Sequence, residues 1–61
     1  MFVIIKGITG KILYAGQSAS LAFYDGKVNL YTPTGGSTAY PDTEVSEISI
    51  NGKIEYSNAL F

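Results

Sequence analysis

The chain has 61 residues, a net charge of −1 and no cysteine or histidine. That inventory excludes disulfides and thiolate metal sites and removes the usual general base near neutral pH. It also leaves four cations, all lysine, where affinity built on phosphate contacts needs a cation for each one.

A chain this short forms one domain, read here as a single small β domain over residues 1–61. It buries only about 60% of the surface its unfolded form exposes. With disulfides and thiolate metal sites excluded, stability has to come from a good core or from a partner subunit. The core material is present, at 46% hydrophobic residues.

Residues 2–6 (Phe-Val-Ile-Ile-Lys) and 11–15 (Lys-Ile-Leu-Tyr-Ala) read as paired strands. Gly7-Ile8-Thr9-Gly10 fits a three-residue loop with Gly10 in the left-handed position. That loop sets Ile4 opposite Tyr14 and Ile5 opposite Leu13. Both faces of this hairpin are then largely apolar, which suits a central strand or one covered by a partner. The run Met1–Ile5 is too short for a membrane span or a signal-peptide core. The chain is therefore expected to be intracellular (cytoplasmic), with no membrane partner.

Residues 19–24 and 27–32 form a second hairpin around Asp25-Gly26, a strong short-range hairpin signal. A two-residue turn pairs Phe23 with Val28 and Leu21 with Leu30 on one face, which is expected to enter the core. Tyr24, Lys27, Asn29 and Tyr31 share the other face. Residues 33–43 are rich in Pro, Gly and small hydroxyl side chains and read as a mobile loop.

Residues 44–50 and 53–57 form a third hairpin around Asn51-Gly52. A three-residue loop is preferred here because it keeps Ile48, Ile50, Ile54 and Tyr56 on one face. The end, Ala59-Leu60-Phe61, is apolar and is expected to pack on the body or on a neighbour. No segment carries helical periodicity over ten residues. The fold expected is all-β: a small antiparallel meander or barrel of three consecutive hairpins, with five to six strands.

Two motifs invite a functional reading and fall short of one. Gly10-Lys11, Gly26-Lys27 and Gly52-Lys53 stand at three equivalent turns and would bind an anion if they lined one rim. Each hairpin supplies a single charge, however, and no glycine-rich turn leads into a helix N-terminus. Asp42, Glu44 and Glu47 lie within six residues, but the two glutamates differ in strand parity and the spacing of known calcium loops is absent. They read as charges that protect a strand edge. No cofactor or metal is expected. Serine and threonine have no histidine to activate them, so the chain is not expected to be an enzyme.

The leading expectation is a binding or structural module that acts through protein–protein contacts as a homo-oligomer. A small open reading frame of this composition would suit a viral or mobile-element accessory or assembly protein. Tyr24, Lys27, Asn29 and Tyr31 form the candidate binding face, since tyrosine is enriched in recognition surfaces. Phe2, Ile4, Tyr14, Leu60 and Phe61 form the candidate oligomer interface. Two alternatives stand beside this reading. One is a small SH3-like or OB-like barrel that stacks single-stranded nucleic acid on Tyr24 and Tyr31. The other is an inhibitor that adds a strand to the sheet edge of a larger enzyme.

Overall fold

The computed structural model describes residues 1–58. Their order is β1 (Phe2–Gly7), β2 (Ile12–Gln17), β3 (Ser20–Tyr24), β4 (Lys27–Tyr31), β5 (Ser37–Pro41), a 3₁₀ turn (Asp42–Glu44), β6 (Val45–Ile50) and β7 (Lys53–Ser57). The strands form two antiparallel sheets, one in the order β2-β1-β6-β7 and one in the order β3-β4-β5. All three hairpins expected from the sequence are present. The sheets are open and do not close into a barrel. Among the described residues no helix is long and apolar enough to cross a membrane.

The core lies between the sheets. Val3 and Ile5 of β1, Val45 and Ile48 of β6, and Val28 and Leu30 of β4 are fully buried. They belong to the strands flanked on both sides, where a side chain has neighbours in its own sheet and across the interlayer space. Each such burial contributes about 1.5–3 kcal/mol. Leu13, Tyr14, Leu21, Tyr40, Ile50 and Tyr56 pack around this centre.

The four-stranded sheet is rephased by three bulges, and these decide which residues face the core. In the first hairpin the loop is as expected: the Gly7 amide bonds the Lys11 carbonyl at 2.7 Å, the Gly10 amide bonds the Gly7 carbonyl, and Gly10 has φ +88°. The register beyond it differs from expectation. Lys6 pairs with Ile12, the ladder slips past Leu13, and Ile5 then pairs with Tyr14 and Ile4 with Ala15. The extra residue lets Leu13 and Tyr14 both reach the core, which strict alternation forbids.

A second bulge falls at Ser46, between the pairs Gly7–Val45 and Lys6–Glu47. The Ser46 hydroxyl donates towards the Lys6 and Gly7 carbonyls at 3.2 and 3.1 Å. Val45 and Ile48 differ in parity, and this bulge is why both are buried.

The third hairpin corrects the expected loop. Asn51 (φ +53°) and Gly52 (φ +84°) form a two-residue turn of the I′ type, and Ile50 pairs with Lys53. Ser49 then pairs with Ile54, the ladder slips past Glu55, and Ile48 pairs with Tyr56. The Asn-Gly pair keeps its preferred tight turn, and a bulge four residues from Asn51 brings the tyrosine inward. Ile54 is left on the outer face.

The second hairpin has the expected register at every position: Phe23–Val28, Leu21–Leu30, Ala22–Asn29, Tyr24–Lys27 and Ser20–Tyr31. One consequence differs. Phe23 was expected in the core and is 58% exposed, because β3 is the outermost strand of its sheet.

The segment 33–43, expected as a loop, contains a seventh strand. Residues 37–41 run beside β4, with Tyr40 opposite Val28 and Thr38 opposite Leu30. The reversal before it is closed by Thr32, whose amide bonds the Gly36 carbonyl and whose hydroxyl accepts the Gly36 amide. Ser-Thr-Ala-Tyr-Pro has low strand propensity apart from Thr38 and Tyr40. It pairs because β4 offers a free edge, and Pro41 is tolerated because it ends an edge strand.

The sheets are joined by a short passage through Ser18 and Ala19. Ser18 is buried, and its hydroxyl donates to the Ser20 carbonyl at 3.0 Å and the Tyr31 carbonyl at 3.1 Å. The Ala19 amide also bonds the Tyr31 carbonyl. At the return crossing, the Asp42 amide bonds the Gly26 carbonyl at 3.0 Å.

Candidate interaction surfaces

Three surfaces remain outside the core. The first is the outer face of the three-stranded sheet. Register places Tyr24, Lys27 and Pro41 in one row, Ala22, Asn29 and Ala39 in the next, and Ser20, Tyr31 and Ser37 in the third. Tyr24, Lys27, Asn29 and Tyr31, grouped from the sequence, thus share this face. Tyr24 and Tyr31 lean towards each other across the middle row, and their hydroxyls meet at 3.0 Å. This bond raises the Tyr31 pKa, with smaller contributions from desolvation and from the charge of Tyr24. The Asn29 amide donates to the Ala22 and Lys27 carbonyls at 3.4 and 3.3 Å, which holds it flat against the sheet. The result is a floor of small side chains between two tyrosines, carrying a single cation.

The second surface is the outer face of the four-stranded sheet. Its rows run Ile12-Lys6-Glu47-Ser57 and Ala15-Ile4-Ser49-Ile54, with Phe2 and Gln17 beyond. Phe2, Ile12 and Ile54 are 43%, 51% and 57% exposed. Lys6 and Glu47 are directly opposed, a favourable cross-strand pair. Of the expected oligomer interface, Phe2 and Ile4 lie here. Tyr14 does not: it sits opposite Ile5, packs against the core, and its hydroxyl donates to the Gln17 carbonyl at 2.6 Å. The bulge at Leu13 is the reason. Leu60 and Phe61 lie outside the described residues. Ile12 and Ile54 share this face with Ile4: Ile12 lies opposite Lys6, where the expected register also sets it, and Ile54 faces outward because the two-residue Asn51-Gly52 turn pairs it with Ser49 in place of Ile48.

The third surface is the flank where edge strands β3 and β7 face each other. Phe23 and Tyr56 meet there, with ring centroids 5.7 Å apart and planes inclined by 37°. Beside them opens a groove of about 460 Å³ lined by Phe23, Tyr24, Gly26, Lys27, Asp42, Glu55 and Tyr56. On the opposite flank, Tyr40 of β5 is partly covered. Burial raises its pKa, and the nearby Tyr14 phenol adds to the shift.

The three turn lysines do not share a rim. β1 and β6 are antiparallel, so the β1–β2 turn with Lys11 and the β6–β7 turn with Lys53 lie at opposite ends of the sheet. Of the three acids singled out in the sequence, Asp42 and Glu44 lie in the 3₁₀ turn and Glu47 lies on β6 opposite Lys6.

Comparison with known proteins found no matching family model, no matching curated protein and no matching solved structure.

Proposed function

We propose that this protein is a non-enzymatic binding or structural module that works through protein–protein contacts and associates with itself. The observation that carries this reading is the apolar outer face of the four-stranded sheet. The core is already complete on the inner face. Phe2, Ile12 and Ile54 are nevertheless left in water on the same face as the half-buried Ile4. An antiparallel sheet with one solvated face ordinarily carries polar residues there, and several large apolar side chains exposed on one sheet face favour an interaction site. Lys6 and Glu47 sit side by side at its margin, where a second copy related by a twofold axis can meet them with opposite charge. The low net charge does little to oppose association.

The tyrosine face of the other sheet is a separate surface for a protein partner. Tyrosine supplies large contact area at small entropic cost, and serine and asparagine supply adaptable hydrogen bonds.

The test is solution mass by light scattering across a dilution series, at low and high salt. The expected result is a concentration-dependent oligomer that persists at high salt. Ile54→Lys is expected to move its midpoint at least tenfold higher in concentration while leaving the circular dichroism spectrum unchanged. A monomer at every concentration overturns the reading.

A further inference from the structure

We infer that strand β3 is a pairing edge for β3 of a second copy, joining the two three-stranded sheets into one continuous six-stranded sheet about a twofold axis at Ala22. This inference rests on the self-association reading above and names an additional surface for it.

The two sheets present four edge strands: β2, β7, β3 and β5. Three of them carry features that discourage pairing with a foreign strand. β7 holds Lys53 and Glu55 and is bulged at Glu55. β5 ends in Pro41. β2 is bulged at Leu13, and its Gln17 carbonyl already accepts the Tyr14 hydroxyl. β3 has no charge, proline or bulge, and the one of its carbonyls that accepts a side-chain hydroxyl, that of Ser20, belongs to a residue paired with Tyr31 on the β4 side. Its sequence, Ser-Leu-Ala-Phe-Tyr, contains no charge, proline or glycine, and its register with β4 is unbroken from Ser20 to Tyr24.

The hydrogen-bonding parity of β3 then dictates how a second strand would join. Asp25 (φ +57°) and Gly26 (φ +67°) form a tight two-residue turn, so the flanking pair Tyr24–Lys27 exchanges both backbone bonds. Antiparallel ladders alternate, so Ala22 is also committed to β4, and the amides and carbonyls of Leu21 and Phe23 point outward. A copy of β3 running antiparallel satisfies all four groups at once when Leu21 of each chain faces Phe23 of the other. Ala22 then faces itself on the axis, in a pair without hydrogen bonds.

Side-chain chemistry agrees with that register. Leu21 and Phe23 are both on the core face of the sheet, so the pairing places apolar against apolar. Phe23 is the most exposed large apolar side chain of the described residues, at 58%, and the added strand would lie beside it. On the outer face Ser20 would meet Tyr24, and the small Ala22 allows close approach at the axis. No charge of β3 meets its own copy, which is what a self-paired edge requires.

The absence of native cysteine makes a direct test available. In a pair without hydrogen bonds the Cα atoms stand about 4.5 Å apart, within the range a disulfide spans. Ala22→Cys, oxidised under mild conditions at the concentration where the wild-type chain associates, is expected to run as a covalent dimer on a non-reducing gel. Ser20→Cys, which would face Tyr24 of the other copy, is expected to remain monomeric under the same treatment. Phe23→Lys, with its folding verified by circular dichroism, is expected to reduce the dimer fraction of the Ala22→Cys chain at least fivefold. A wild-type oligomer whose Ala22→Cys variant forms no more covalent dimer than Ser20→Cys overturns the edge pairing and leaves the self-association reading standing. A wild-type monomer throughout the dilution series overturns both.

Discussion

The hydroxyls of Tyr24 and Tyr31 lie 3.0 Å apart although the two residues stand at opposite ends of one hairpin face. The bond with the Tyr24 hydroxyl holds the Tyr31 proton in the folded state, and with desolvation and the charge of Tyr24 it raises the Tyr31 pKa above its ordinary value of 10.0. A phenol whose pKa is raised on folding adds stability that is fully present below its unfolded pKa. That contribution is lost as pH rises through the folded pKa, so the window lies in the alkaline range above pH 10. NMR titration of the tyrosine ring carbons is expected to show Tyr31 titrating above the unfolded value. Tyr24→Phe is expected to bring it down.

The two faces of the four-stranded sheet predict opposite outcomes for two isoleucines on neighbouring strands. Ile48 is fully buried and Ile54 is 57% exposed. Ile48→Ala is expected to cost about 2–5 kcal/mol, the range for large-to-small changes in a packed core. Ile54→Ser is expected to change monomer stability by no more than about 0.5 kcal/mol, as for a surface substitution, while weakening association. Urea unfolding at a concentration that favours monomer, set beside light scattering, separates the two effects.

The tight turn at Asn51-Gly52 requires a positive φ at both positions, +53° and +84°. A Cβ on Gly52 would meet no atom within 4 Å, so the cost of Gly52→Ala is conformational. That cost is about 1–2 kcal/mol for an L-residue held in the left-handed region. Thermal unfolding is expected to show Gly52→Ala destabilised, and Lys53→Ala nearly unchanged.

Ser18 joins the sheets through two donated contacts from a buried hydroxyl. Ser18→Ala is expected to destabilise the chain by about 1 kcal/mol, the usual net worth of a lost intramolecular hydrogen bond. Hydrogen exchange is expected to show earlier loss of protection at Ala19, whose amide bonds the same Tyr31 carbonyl.

The tyrosine face carries one lysine, Lys27, and the turn lysines Lys11 and Lys53 lie at opposite ends of the other sheet. Affinity for a phosphate backbone scales with the number of cations engaged. Fluorescence anisotropy with a labelled single-stranded oligonucleotide at low salt is expected to show no saturable binding. Saturable, salt-sensitive binding abolished by Tyr24→Ala would favour the nucleic-acid reading of this face.

Much of the fold was legible where a single local signal decided it. Asp25-Gly26 fixed a tight turn, the alternation of Leu21, Phe23, Val28 and Leu30 fixed the faces, and the second hairpin follows at every pair. The outer grouping of Tyr24, Lys27, Asn29 and Tyr31 came with it, since parity in an unbroken ladder is strictly local. The first hairpin departs from its expected register because a bulge at Leu13 shifts the ladder by one residue, and the third because Asn51-Gly52 keeps a two-residue turn and a bulge at Glu55 follows it. Nothing in the sequence around either position announces a bulge. Each bulge lets a tyrosine that strict alternation would turn away pack on the core, Tyr14 beside Leu13 in the first hairpin and Tyr56 in the third.

By itself, then, the sequence determined the strand-rich class, the three hairpins, and the chemistry these residues lack, because turn propensity, period-two patterning and side-chain inventory are local properties. The tertiary structure decided the rest. It pairs β1 with β6 across some forty residues, recruits the unpromising segment 37–41 to a free edge of β4, and leaves Phe23 and Ile54 outside the core. Those outcomes depend on which edges and faces remain open once the hairpins meet. They are relations between distant segments, set by competition for a small core, and no local pattern encodes them.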